Sequence, residues 1–205
     1  MRARPLLVRD ISGFDRVMVY RFDERDGSGE VIAERASPDM PPYLGLHYPA
    51  SDVPYQARRL YVQSRLRLIC DATYESAPIV PADNPQTGRP LDLSAAVLRS
   101  VSPIHLRYLE NMGVRGSMSI SLVKDERLWG LIACHHRSPR FVPYLTRVVC
   151  GFPGDIASWS LRPRLDSEES DCRLRAGAVL GQLVEAMSAR PDAFAALVEG
   201  EPSAL

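Results

Sequence analysis

The 205-residue chain has only four cysteines, and Cys70, Cys134, Cys150 and Cys172 form no Cys-x-x-Cys pair. Such wide spacing argues against a zinc site and a disulfide scaffold, and fits a reducing cytoplasm. There is no run of about 18 apolar residues of the kind that spans a membrane. The apolar patch after Met1-Arg2-Ala3-Arg4-Pro5 is too short for a signal peptide. A soluble, cytoplasmic chain without membrane contact is expected. Neither sign of charge is in excess, since 25 Lys and Arg balance 25 Asp and Glu, so no nucleic-acid partner is implied. Gly-x-Ser-x-Gly, Gly-x-x-x-x-Gly-Lys and His-Glu-x-x-His are all missing. With no nucleophile or phosphate-cradling motif, a binding role is expected rather than an enzyme.

A hydrophobic content of 45% is enough to bury one good core and a smaller appendage. Arg16 to Phe22 and Glu30 to Glu34 read as a β-hairpin around the turn cluster Asp26-Gly27-Ser28-Gly29. From Ser51 to about Ser64 the pattern is helical, with Ser51 as N-cap and Pro54 in the first turn. Arg67 to Asp71 reads as a short strand. Pro78, Pro81, Pro85 and Pro90 make Thr73 to Pro90 a long loop. Ser102-Pro103 starts a helix that Gly113 stops. Ser117 to Leu122 and Leu128 to His136 form a second hairpin. Phe141 to Leu161 reads as a closing helix limited by Pro143 and Pro153. A polar bridge, Arg164 to Arg173, leads to a helical tail from Leu174 to Met187, which Pro191 interrupts before Phe194, Leu197 and Val198. The order predicts an α+β domain with a mainly antiparallel central sheet flanked by helices, followed by that tail.

Two segments carry the chemistry. Pro49-Ala50-Ser51-Asp52-Val53-Pro54 presents a carboxylate beside a histidine, arginines and tyrosines. The helix from Ser102 lines up His105, Tyr108 and Met112 along one stripe. Strict alternation gives Ser117, Ser119 and Ser121 a hydroxylic strand face, either solvated or lining a polar pocket. The returning strand has no plainly solvated face, which favours the pocket. His135 and His136 are adjacent in that strand and point to opposite faces, so no metal site is expected. Arg67 and Arg99 flank element boundaries where guanidinium groups grip carboxylates. Together these groups suit a large, flat, partly apolar ligand bearing carboxylates and ring nitrogens.

Residues 16–22, 48–54, 102–113 and 128–136 resemble the bilin-binding GAF domain of bacterial phytochromes. The resemblance spans Ile11 to Pro163. It assigns residues 1–163 to a GAF bilin-binding domain and 164–205 to a connecting helix and the truncated start of a PHY domain. It implies biliverdin, a linear tetrapyrrole, as cofactor. The main chain of Asp52 would meet the pyrrole N–H groups, with Val53 and Pro54 beside it. His105 would lie near the same nitrogens, and His135 would bond the carbonyl of the terminal ring. Tyr20, Tyr48 and Tyr108 would surround that ring, with Tyr61 also lining the site. Arg67, Arg99, Ser102, Ser117 and Ser119 would hold the propionates. Plant and cyanobacterial relatives carry an attachment cysteine just before the helix histidine, where this chain has Ile104. The cysteine-bearing segment of the bacterial relatives has no counterpart here, so noncovalent binding is expected. The GAF helix before the first strand is expected to be shortened or lost.

The resemblance implies a photosensory module for red and far-red light, with a photocycle impaired by the missing partner of Asp52. The alternative is a GAF-type interaction module with an empty pocket. It would form a homodimer through the helices at Phe141 to Leu161 and Leu174 to Met187.

Overall fold

A computed structural model describes residues 4–188 of the chain. The chain divides into two compact units, Met1–Ser160 and Leu161–Leu205. The first unit is built on one six-stranded sheet. It uses β1 (Arg16–Phe22), β2 (Gly29–Ala36), β3 (His47–Tyr48), β4 (Leu66–Ile69), β7 (Gly116–Lys124) and β8 (Arg127–His136), in the order β3-β2-β1-β8-β7-β4. Every neighbouring pair is antiparallel, as the two hairpins require. A separate two-stranded ribbon, β5 (Asp83–Asn84) and β6 (Arg89–Pro90), lies within the proline-rich loop.

The β7–β8 turn uses Asp125 and Glu126, both at positive φ, the geometry a two-residue hairpin connection demands. Ser102 caps α3 (Pro103–Asn111) by accepting from the Ile104 N–H at 3.3 Å, and Gly113 at φ +67° ends that helix. The helix before the first strand is present as α1 (Arg4–Ser12), and its Val8 is fully buried.

Two helix boundaries differ from the sequence expectation. Ala50–Asp52 forms only a short 3-10 turn, and α2 (Tyr55–Gln63) begins after Pro54, so Ser51 is not its cap. Pro54 forces the preceding Val53 away from helical geometry, to φ −129° and ψ 81°. Past Pro143, α4 (Tyr144–Ser188) runs without a break, through Pro153, Pro163 and the stretch read as a polar bridge. Arg164 to Arg173 contains no glycine or proline, so its polarity does not oppose a helix. In the first unit, burial of Cys150 and Ala157 offsets the hydrogen bond lost at Pro153. The readings at Pro191, Phe194, Leu197 and Val198 lie outside the described residues.

Strand alternation and register divide the sheet into two faces. Val17, Val19, Met118, Ile120, Ile132 and Cys134 point to one, where the part of α4 up to Ser160 packs. Ser158 fixes that packing by donating to the Gly154 carbonyl and accepting from the Val123 N–H at 3.0 Å, beside the β7 irregularity at Leu122/Val123. The opposite face carries Met18, Tyr20, Phe22 and Leu131 in one apolar cluster, with Val53 and Tyr61 packed against it. Ile69 with Leu109 of α3 anchors a second cluster. This second face, overlaid by α2 and α3, holds the polar residues of interest.

Candidate functional site

Cross-strand pairing explains how distant sequence segments meet. Ser117 lies opposite His135, Ser119 opposite both Ala133 and Arg67, and Arg16 opposite His135. Directly paired residues share a face, so Arg16, His135, Ser117, Ser119 and Arg67 form one polar band across four strands. The serine face is therefore half-buried rather than solvated, and Ser121 is fully buried with its hydroxyl donating to the Tyr61 carbonyl at 2.7 Å. His136 turns to the other face, where Asp15 Oδ2 is 3.0 Å from its Nδ1. Cys134 also lies there, completely buried, and burial pushes its thiol up. Among the described residues no group of His, Cys, Asp and Glu could hold a metal.

At the β4 end, Tyr61, Arg67, Arg99, His105 and Ser119 come together. The Arg67 guanidinium lies 4.9 Å from the Tyr61 ring centroid. Burial, with Arg99 nearby, lowers the pKa of Arg67, and burial also raises that of Tyr61 against Arg67, Ser119 and Arg99. Arg99 donates to the carbonyls of Ser94 and Ala96. Neither arginine is ion-paired among the described residues, and Arg67 Nε and Nη2 are buried without any hydrogen-bond partner. Two cations held close without an acid form a site for an anion. His105 stacks on Tyr108 at 6.0 Å between centroids, and burial together with Arg67 lowers its pKa.

At the other end, Asp52 sits among Tyr20, Tyr48 and Tyr108. Burial, reinforced by the Asp52 carboxylate, pushes Tyr20 up to about 12 and also raises Tyr108; at Tyr48 burial leads, with Tyr43 and Asp52 adding to it. The Tyr20 and Tyr48 rings are 5.8 Å apart. Tyr20 lies across Gly29, where an added Cβ would fall 1.9 Å from Tyr20 Cζ, so only glycine leaves space for the ring. Between the two ends, His135 is buried with Nδ1 unpartnered. Burial first, then Arg16 and His105, bring its pKa down to about 3. A neutral imidazole with a free ring nitrogen is ready to bond a ligand.

The structure thus gathers Asp52, Val53, Tyr20, Tyr48, Tyr61, Tyr108, Arg67, Arg99, His105, His135, Ser117 and Ser119 over one sheet face. Pro54 and Ser102 stand at the starts of α2 and α3, where their visible work is to begin those helices. Sequence reasoning missed Arg16, Gly29, Glu34, Tyr43 and Arg58. Arg16 carried one signal, being a charge at the head of an apolar strand. Its Nε lies 2.8 Å from Glu34 Oε1, an ion pair held off the hydrogen-bond axis, and its guanidinium is 3.5 Å from the Tyr43 ring centroid.

The GAF domain family model matches residues 6–153. The chain belongs to the GAF domain family, on its phytochrome branch. It is 53% identical over 198 residues to cyanobacterial phytochrome B of Nostoc, covering 97% of this chain and 26% of that protein. To the bacteriophytochrome of Pseudomonas aeruginosa it is 57% identical over 141 residues, covering 69% of this chain and 19% of that one. The crystal structure of the chromophore-binding domain of a bacteriophytochrome from R. palustris superposes with a TM-score of 0.78 at 47% identity. That match covers 80% of this chain and 54% of the other. The chain spans about a quarter of the length of the cyanobacterial relative. No helix among the described residues is long and apolar enough to cross a membrane.

Proposed function

We propose that this domain binds a linear tetrapyrrole, biliverdin, noncovalently, and serves as the light-absorbing module of a red and far-red photoreceptor. The observation that carries the reading is the set of buried nitrogens without partners, Arg67 Nε and Nη2 and His135 Nδ1, on a face that also carries an apolar cluster with Tyr20, Tyr48 and Tyr61. Leaving such groups unsatisfied costs about 1–3 kcal/mol each, more when charged, and a dicarboxylate with a ring carbonyl would satisfy them. Arg67 and Arg99, with Ser117, Ser119 and Ser102, are assigned to the propionates. The Asp52 main chain and His105 are assigned to the pyrrole nitrogens, and His135 to the terminal-ring carbonyl. Tyr20, Tyr48, Tyr61 and Tyr108, with Val53 and Pro54, provide the surrounding walls. When bound, the tetrapyrrole supplies the visible-light absorption that no side chain has. Residues 1–163 are the bilin domain in this reading, and 164–205 begin an adjoining PHY domain.

The arginine pair makes a chemical prediction. Biliverdin should bind at least about 10-fold more tightly than its dimethyl ester, since each charged hydrogen bond lost costs about 1.5–3 kcal/mol. Fluorescence quenching titrations of the two compounds measure the difference. Equal affinities would remove Arg67 and Arg99 from the assignment.

One observation also favours self-association. Leu145, Val149, Phe152, Ile156 and Trp159 are all exposed and follow a four-three spacing along α4. That spacing is the seam of a helix pair. Sedimentation should find a dimer that Phe152→Glu converts to monomer, whereas a wild-type monomer at high concentration would contradict it.

A further inference from the structure

Arg58 has no part in the assignments above, yet it joins three separate segments beside Asp52. Its side chain turns back over the start of α2. Nε donates to the Val53 carbonyl at 2.7 Å, Nη2 donates to the Gly27 carbonyl, and the guanidinium lies 4.4 Å from the Phe22 ring centroid. Gly27 is at φ +74°, and a Cβ there would fall 2.7 Å from Arg58 Nη1, so the turn is shaped around this side chain. The end of β1, the turn before β2 and the segment carrying Asp52 thus share one cation.

Apart from the packing of Val53 on the apolar cluster, the Asp52 segment has few other anchors among the described residues. It is a three-residue 3-10 turn whose Asp52 N–H reaches only the Pro49 carbonyl, and Pro54 has no N–H to give. Val53 links Asp52 to α2, so holding the Val53 carbonyl restricts the backbone rotations through which the Asp52 carbonyl could turn. We propose that Arg58 is a positioning residue that holds Asp52 in register with Tyr20. It works through the Val53 and Gly27 carbonyls and makes no contact with the ligand. Its opposing effects with Asp52 on the Tyr20 hydroxyl agree with that closeness. The consequence for the bound pigment rests on the tetrapyrrole reading; the consequence for the segment does not.

Two readouts test the proposal on Arg58→Gln and Arg58→Lys, with the exposed neighbour Arg59→Gln as control. In ligand-free protein, hydrogen exchange in residues 23–28 and 50–58 should quicken about 10-fold in Arg58→Gln, with β7 and β8 unchanged. Arg58→Lys keeps the charge but loses the fork, and should fall between the two. With biliverdin, Arg58→Gln should shift and broaden the bound-state absorption band, while Arg59→Gln keeps the wild-type band. Wild-type exchange in both segments of Arg58→Gln would overturn the clamp. Faster exchange with an unaltered band would overturn the positioning role and leave a structural staple. Global loss of protection in Arg58→Gln together with wild-type behaviour of Arg58→Lys would also overturn it. If wild-type protein gives no band at all, the tetrapyrrole reading falls, and the exchange result still decides the clamp.

Discussion

Replacing Glu34 with alanine should lower the stability of the domain by about 3–5 kcal/mol, the usual cost of breaking a buried ion pair from one side. The side chains of Arg16 and Glu34 are 1% and 7% exposed. Glu34 also accepts from the Tyr43 and Leu44 N–H groups at 2.8 and 3.0 Å, and Arg16 donates to the Pro41 carbonyl. Truncation would leave a buried guanidinium without its counter-charge and two backbone donors without their acceptor. Tyr43, which the pair holds in place, belongs to the tyrosine-rich end of the site. The double replacement Arg16→Met with Glu34→Leu removes the uncompensated charge, though not the unpaired Tyr43 and Leu44 N–H groups, and should cost less than Glu34→Ala alone. Urea unfolding measures both. A loss below about 1 kcal/mol for Glu34→Ala would show that the pair contributes little.

Acidification is the second large effect, and its sign follows from His135. The folded-state pKa of about 3 lies below the ordinary histidine value, so protons bind the unfolded chain more readily. The contribution is fully present above about pH 6.5 and is lost as pH falls toward 3, by about 1.4 kcal/mol per unit. Burial lowers His105 and His136 as well, so the slope should slightly exceed one proton. The depressed carboxylates Asp23, Asp26, Asp39, Asp71 and Asp92 come into play only as pH falls to about 4 and below, beneath the range measured. Urea midpoints between pH 7.5 and 4.5 should fall steadily in the wild type. The decline should be much shallower in His135→Gln, and an identical slope would assign the acid sensitivity elsewhere.

What could be read in the sequence was local. The hydroxylic alternation of Ser117, Ser119 and Ser121 placed them on the face of His135, because strand periodicity and hairpin register are short-range properties. Ser102-Pro103 and Gly113 bounded α3 for the same reason. The onset of α2 escaped because Pro54 constrains the residue before it more strongly than Ser51 favours a cap. The passage of α4 through Pro153 escaped because burial of Cys150 and Ala157 outweighs the local cost of that proline. Arg58 and Gly27 are 31 positions apart, and Arg16 meets Glu34 only through the β1–β2 pairing, so neither contact has a local signature. Gly29 was legible as a turn residue, but not as the floor beneath Tyr20.

The claim on which the rest depends is that this sheet face encloses a tetrapyrrole. Purified protein titrated with biliverdin should give a sharpened far-red band that saturates at one equivalent. The band should collapse to that of free pigment on denaturation, as noncovalent binding requires, and weaken markedly in Arg67→Ala. A spectrum indistinguishable from free biliverdin at every ratio would contradict the account.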